Sequence, residues 1–371
     1  MIKNKICIYA ICKNEKKFVE QWLNSMSEAD YIVVLDTGST DGTYEMLKND
    51  PRVTRCEQKI ISPWRFDVAR NESMKLIPDD ANILFCTDLD ELLDKGWANT
   101  LRENWIEGYH SRCYYKFAWS HTDSGEPARI LDYGKIHNRD WHWIYPVHEG
   151  LVLKENNKFI RQDQILQLGY SIFLHHWPDW TKSRSSYLNL LKLRVEENPN
   201  DYESKIYLAH EYYFSSQYNN SINLLKNILK HHNSDCSNLE KANCYLIMGD
   251  CYMELEEIGL AMGCYYQATM IDEYYRDPYF SLAYNLNNLN EYEHSILILE
   301  KCLEKTKRYY SWLERDKAWA EGIYDLLGVA YYWVGRYKDS YWATSEALKF
   351  DPNNERLKEN LNYAKEKLDI I

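Results

Sequence analysis

The sequence predicts an α/β domain built on a largely parallel sheet, followed by an all-α array of helical repeats. Three observations point there. Short apolar runs alternate with helical stretches up to about residue 110; aromatic-rich, strand-like runs occupy the next stretch to about 177; and after Pro178 the chain reads as helix almost to its end. The expected ranges are 1–178 for the α/β domain, 179–201 for a linking helix, and 202–371 for about four repeats closed by a capping helix.

In the first stretch, Lys5 to Ile11, Tyr31 to Asp36, Val53 to Gln58 and Ile83 to Thr87 have the apolar density of buried strands. Lys17 to Met26, Thr43 to Asn49, Phe66 to Leu76 and Trp97 to Trp105 carry helical spacing. Their alternation implies parallel strands joined by crossover helices. The runs Arg112 to Trp119, Ala128 to Tyr133, Trp141 to Tyr145, Leu151 to Lys154 and Tyr170 to His175 are expected to add mixed or antiparallel strands to the same domain.

The helical half repeats. Aligning Leu208-Ala209, Met248-Gly249, Leu282-Ala283 and Leu327-Gly328 brings Tyr212, Tyr252, Leu286 and Tyr331 into register three residues later, and Ser221, Ala261, Ser295 and Ser340 twelve later. Leu225, Tyr265, Leu299 and Thr344 follow, then Ile228, Ala268, Cys302 and Ala347. The units are spaced by 40, 34 and 45 residues. This pattern resembles the tetratricopeptide repeat, a two-helix unit of about 34 residues whose small residues let neighbouring helices approach closely. Asn353 to Leu368 reads as a polar cap.

A length of 371 residues suits two domains, and 45% hydrophobic with 27% charged residues describes a globular chain. The net charge of −12 argues against nucleic acid as the main partner, since phosphate backbones are gripped by excess Lys and Arg. Ten cysteines without a C-x-x-C pair, several inside apolar runs, read as reduced core thiols. No apolar leader precedes Lys5, and no apolar run reaches the roughly 18 to 20 residues of a membrane span. A soluble cytoplasmic protein without a transmembrane segment is therefore expected.

In a parallel α/β sheet, ligands sit beyond the carboxyl ends of the strands. The polar residues there are Lys13-Asn14-Glu15 after the first run, the Asp36 to Thr43 stretch after the second, and Asp88-Leu89-Asp90-Glu91 after the fourth. On extended backbone Asp88 and Asp90 would face one side, about 7 Å apart. Hard carboxylate oxygens so placed suit Mg2+ or Mn2+. The pair also suits an acid-rich helix N-terminus.

Together with Asp67-Val68-Ala69-Arg70-Asn71, these stations, in this order over about residues 5 to 105, resemble a family 2 glycosyltransferase of the GT-A fold, a Rossmann-like nucleotide-sugar domain. The resemblance implies that Ile11, Glu15, Asp36, Asp41, Arg70, Asp88 and Leu89 bind the nucleotide-sugar. It further implies that Asp88, Asp90 and His175 hold Mn2+ or Mg2+, which neutralises the departing diphosphate. Each residue has a plainer reading as well. Asp36 and Asp41 fit turn or N-cap acids around Gly38 and the Thr43 helix, Arg70 a surface ion pair with Asp67 or Glu72, Glu15 a solvated loop acid, and His175 a core histidine, with His176 the other candidate for the metal.

For the acceptor side the chain offers Tyr145-Pro146-Val147-His148-Glu149-Gly150, where either His148 or Glu149 suits a general base, or the histidine packs against aromatics. This V-H-E segment, the late histidine and the fused repeats are similar to a bacterial subgroup that includes the peptide S-glycosyltransferases of glycosylated bacteriocins. That implies inverting transfer of a hexose or N-acetylhexosamine from a UDP-sugar to Cys or Ser of a peptide or protein held by the repeats, with a homodimer left open. The alternatives are a transferase of surface polysaccharide or lipid-linked oligosaccharide synthesis and, from another class, an inactive transferase domain within a repeat-based adaptor. A nucleotidyltransferase would carry a glycine-rich loop where this chain has Cys12-Lys13-Asn14-Glu15.

Overall fold

The computed structural model describes residues 4–122, 125–154, 160–179, 181–182 and 186–370. The chain divides into two compact units, Met1–Arg194 and Val195–Ile371.

The first unit opens with β1 (Ile6–Cys12), α1 (Val19–Met26), β2 (Tyr31–Asp36), α2 (Thr43–Asn49), β3 (Arg55–Gln58), α3 (Phe66–Met74) and β4 (Ile83–Cys86). It continues through β5 (Glu91–Leu93), α4 (Trp97–Asn104), β6 (Arg112–His121), β7 (Pro127–His137), β8 (Trp141–Ile144), β9 (Gly150–Leu153) and β10 (Ile165–His176) to α5 (Tyr187–Glu197). The alternation of apolar runs and helical stretches is thus realised, except that the run expected over 53–58 as a buried strand forms only β3, an edge strand whose residues are exposed or half-buried because one side of it has no neighbour in the sheet. The three-residue β5 is an addition to the expected strands: it is too short to show a period, and it exists because it pairs antiparallel with the end of β10.

The sheet runs β3-β2-β1-β4-β7-β6-β10-β5. The first four strands are mutually parallel, β7 is antiparallel to β4 and β6, and β6 and β10 are parallel. Along β1 the side chains alternate. Ile6, Ile8 and Ala10 join a core with Trp22, Leu23 and Trp97 from α1 and α4, while Cys7, Tyr9 and Ile11 join another with Ala69 of α3 and Trp141 and Trp143 of β8. Both faces are covered, which explains why the strands read as continuous apolar runs. Because β1 has β2 on one side and β4 on the other, the chain reverses direction across the sheet here, and a crevice opens beyond the carboxyl ends of β1 and β4.

The second unit contains four helix pairs among the described residues: α6 (Tyr202–Phe214) with α7 (Tyr218–His231), α8 (Asn238–Glu254) with α9 (Ile258–Ile271), α10 (Arg276–Asn288) with α11 (Tyr292–Lys305), and, beyond the short α12 (Asp316–Trp319), α13 (Gly322–Trp333) with α14 (Tyr337–Phe350). Helix α15 (Glu355–Ile370) follows. The aligned small residues do a common job. Ser221, Ser295 and Ser340 donate from Oγ to the carbonyls of Ala209, Ala283 and Gly328, at 2.8, 3.4 and 2.7 Å, locking the second helix of a pair onto the first. The second pair has Ala261 at that position and uses a different lock, with the Tyr265 ring lying on Gly249 and its hydroxyl donating to Asp250 Oδ1 at 3.0 Å.

A Cβ on Gly249 would meet the Tyr265 ring at 2.5 Å, and that ring is buried with nowhere to go. Alanine gains about 1 kcal/mol of helix propensity over glycine, against about 1–3 kcal/mol for overpacking. Gly249→Ala is therefore expected to lower the thermal midpoint followed by circular dichroism. Gly249→Ala/Tyr265→Leu, which copies the Ala–Leu pairing of the first and third pairs, is expected to recover part of the loss. An unchanged midpoint in the single variant would contradict this packing.

Candidate active site

Two loops form one wall of the crevice and are sewn to each other. After β1, Asn14 sits at φ 56°, its N–H donates to Ser39 Oγ at 2.8 Å, and its Oδ1 accepts from Thr40 N at 2.8 Å. Glu15 N donates to Thr43 Oγ1 (2.9 Å) and Lys16 N to Asp41 Oδ2 (3.2 Å). Asp36 is fully buried, and its Oδ1 accepts from Gly38 N (2.9 Å), Ser39 N (2.8 Å) and Gln58 Nε2 (2.9 Å). Burial raises its affinity for a proton, but these donors together outweigh burial and hold the carboxyl below its usual range. Asp41 Oδ1 accepts from the backbone N–H of Thr43 at 3.0 Å and from its hydroxyl at 2.5 Å. The side chains of Asp36 and Asp41 therefore take part in holding the loop, as turn and cap acids do.

Across the crevice lies a network of opposed charges. Arg70, on α3, is 6% exposed. It forks onto Asp88 with Nη1 to Oδ1 at 3.0 Å and Nη2 to Oδ2 at 3.2 Å, while its Nε is paired with Glu149. Its Cζ lies 5.2 Å from the centre of the Trp143 ring. From β7, Lys135 reaches Asp88 Oδ2 at 3.2 Å and Glu91 Oε1 at 3.0 Å. Burial opposes ionisation of Asp88, but Arg70 and Lys135 prevail and hold it well below the usual carboxylate range. Glu91 goes the other way: burial pushes it up, Lys135 opposes, and Asp88 and Asp90 reinforce the rise. Expected surface partners of Arg70 are occupied elsewhere, Asp67 by Arg65 and Glu72 by Lys59 and Lys75.

The acidic triplet itself departs from expectation. It is a turn rather than extended backbone, closed by Glu91 N donating to Asp88 O at 3.1 Å. Asp88 and Asp90 accordingly take separate roles, Asp88 with the two cations and Asp90 Oδ2 at 3.5 Å from His176 Nε2. Leu89 is 2% exposed and belongs to the core beneath the turn. Glu15 faces the same place: its Oε1 is paired with Lys182, its Oε2 is buried without a partner, and burial raises its proton affinity, Lys182 opposes, and Asp90 and Asp88 add to the rise.

Arg70, Asp88 and Glu149 are therefore in direct contact, Glu15 lies near enough to Asp90 and Asp88 to feel their charge, and Ile11 is buried on β1. His175 is not at the triplet. Successive residues of a strand face opposite sides, so His175 turns to Asp94 (Nε2 to Oδ1, 3.5 Å) and His121 (2.9 Å between ring nitrogens), leaving His176 beside Asp90. His148, at φ 48°, sets its ring against Tyr187 with centroids 6.0 Å apart, while Glu149 points to Arg70. Sequence reasoning missed Lys135 and Glu91 as site members. Glu91 was legible as the third acid of its station; Lys135 lies beyond the run Ala128 to Tyr133 that reads as a strand, and no spacing signals it.

No cluster of three or more His, Cys, Asp or Glu side chains placed to hold a metal occurs among the described residues. The donors present fit half a site. A carboxylate and an imidazole, Asp90 and His176, suit Mg2+ or Mn2+ completed by phosphate oxygens and water, the usual way such ions sit on nucleotides.

Residues 7–165 match the model of glycosyl transferase family 2. The matched residues thus run from the second residue of β1 through β9 and include every site residue above except His175, His176 and Lys182. The match supports a glycosyltransferase, on a GT-A-like sheet followed by an all-helical unit. No curated protein matches the chain. Among solved structures, the chain is similar to the MamA protein (20% identity over 45% of this chain and 82% of that one, TM-score 0.35). It is also similar to a thermophilic TPR protein of Thermus thermophilus (18%, 49% and 90%, TM-score 0.35) and to the Arabidopsis OM64 TPR domain (16%, 35% and 98%, TM-score 0.30).

Lys135→Met removes the strongest influence opposing protonation of Glu91. Leaving buried acids uncompensated is expected to cost about 3 kcal/mol near neutral pH. In the variant Glu91 binds its proton more tightly when folded than unfolded, so the deficit is small at low pH and grows as pH rises through the folded-state value. Urea midpoints of wild type and variant should therefore lie further apart at pH 8 than at pH 5. An equal gap at both would show that the charge of Lys135 is not what the fold uses.

Proposed function

We propose that the first unit is a metal-dependent inverting glycosyltransferase. It moves a sugar from a nucleotide-sugar, UDP-hexose or UDP-N-acetylhexosamine, to a Cys or Ser side chain of a peptide or protein, with the repeats offering a surface for that acceptor. The observation that carries the reading is the pairing of Asp90 with His176 beside the Arg70-Asp88-Lys135 network at the turn after β4, a turn that lies within the residues matching family 2.

Asp90 and His176 would hold Mn2+ or Mg2+, which when bound neutralises charge on the departing diphosphate. Asp88, pinned by two cations, fixes the backbone of the turn and so the direction in which Asp90 points. The sewn loops after β1 and β2 give a rigid wall for the nucleoside. Glu149 is committed to Arg70, and a thiol acceptor, which ionises near pH 8.5 or so unaided, asks little of a base.

A thermal-shift screen of nucleotide-sugars with and without Mn2+ tests this. A ligand bound only by the folded state stabilises it by about 2.7 kcal/mol at a hundred times its Kd, a shift of several degrees. The Mn2+-dependent part should vanish in Asp90→Ala, fall in His176→Ala and persist in His175→Ala. A shift that survives in Asp90→Ala, or no release of nucleoside diphosphate from any donor, would sink the assignment.

A further inference from the structure

A cavity of about 460 Å³ opens in the first unit apart from the acidic turn. Met74 and Leu84 give it an apolar lining, and Lys75, Arg139, Lys154 and His142 a polar one. Leu84 is the second residue of β4, toward the amino end of the strand, whereas the acidic turn follows its carboxyl end. No lining residue belongs to the network around Asp88. Asn71 also lines the cavity, and it ties α3 to β8: its Nδ2 donates to the Trp143 carbonyl at 2.8 Å and its Oδ1 accepts from Trp143 N at 3.0 Å. The cavity is thus framed by elements fastened to each other.

In a chain with a net charge of −12, cations gathered at one place would ordinarily be answered by acids. Here only Lys75 is, by Glu72. Arg139 is held by neutral acceptors, with Nε donating to the Ala81 carbonyl at 3.2 Å and Nη2 to that of Pro78. Among the described residues no carboxylate pairs with Arg139 or with Lys154. Two buried groups register the unmatched charge. Burial pushes the Cys7 thiol up and Arg139 opposes it, while burial lowers His137 to about 3, the Asn138 carbonyl opposes, and Arg112 and Lys154 add to the depression. His142 brings an unmet need of another kind: its Nδ1 is buried and has no hydrogen-bond partner among the described residues.

We propose that this cavity binds a phosphate monoester carried on a small organic body. An unmatched guanidinium and ammonium, with a third cation only partly neutralised, suit a dianion better than a single carboxylate, and the arginine fork fits phosphate oxygens. The open imidazole nitrogen of His142 suits a further phosphate oxygen or hydroxyl. Met74 and Leu84 offer apolar contact to the carbon skeleton. The volume falls in the range of roughly 300–1,000 Å³ typical of small-molecule sites. The same chemistry is carried by soluble sugar phosphates and by the headgroup of phosphatidic acid. This inference stands on the first unit alone and is independent of the transferase reading.

The test uses the full chain in EDTA, so that no divalent ion can draw a phosphate to Asp90 and His176. By calorimetry, glucose 6-phosphate should bind saturably and glucose should not. Arg139→Gln and Lys154→Gln should each weaken that binding by roughly tenfold or more, the loss expected with one charge-assisted hydrogen bond. Lys154 is exposed, so its variant remains informative should Arg139→Gln fail to fold. Asp90→Ala should leave the binding unchanged. Co-sedimentation with vesicles of phosphatidylcholine, with and without phosphatidic acid, separates the two sources. Association that needs phosphatidic acid and falls in Lys154→Gln assigns a lipid headgroup; binding of glucose 6-phosphate without it assigns a soluble ester. Saturable binding in neither arm overturns the proposal, as does binding indifferent to both substitutions. Loss of binding in Asp90→Ala overturns it too, because the phosphate would then sit in the crevice.

Discussion

Arg70 reaches Asp88 in the turn after β4 and Glu149 beside β9, and Lys135 joins Asp88 to Glu91 from β7. Four separate stretches of chain therefore meet through two cations. In a molecule with a net charge of −12, gathering acids at the end of a sheet is feasible only if cations are supplied from within. Removing either would leave a carboxylate buried and unmatched. The same requirement fixes side-chain directions before any substrate arrives, and that kind of preorganisation is what makes electrostatic catalysis effective.

The second unit follows a simpler rule with local exceptions. A small residue on the first helix of a pair, Ala209, Gly249, Ala283 or Gly328, sets how close the second helix comes, and the residue sixteen positions on fills the space that remains. Leucine goes with alanine, and Tyr265 or Thr344 with glycine. The array tolerates the insertion before α13 because such units contact chiefly their neighbours, so an extra segment need not disturb the stacking.

Much of this was legible in the sequence, for identifiable reasons. Strands buried on both faces are continuous apolar runs, so β1, β2 and β4 stood out within a residue or so of their ends. The helix pairs were visible because one small residue recurs in register with a serine that bonds to its carbonyl. What stayed hidden depends on pairing between distant segments. β5 exists only through β10, and the choice between His175 and His176 is a matter of strand register. The division of labour between Asp88 and Asp90 follows from a turn that their spacing does not disclose. Lys135 had no local signature at all, since its role is defined by what lies on another strand.

The sewn loops bear on how this kind of chain changes over generations. Asp36 and Asp41 are retained by the architecture: their oxygens tie the two loops together whether or not any sugar is transferred. Over generations, the loss of Asp36, Asp41, Arg70 or Lys135 would therefore carry a cost in folding beyond any cost in function, whereas Asp90 and Glu15 have fewer ties to the fold and their loss would carry less of it.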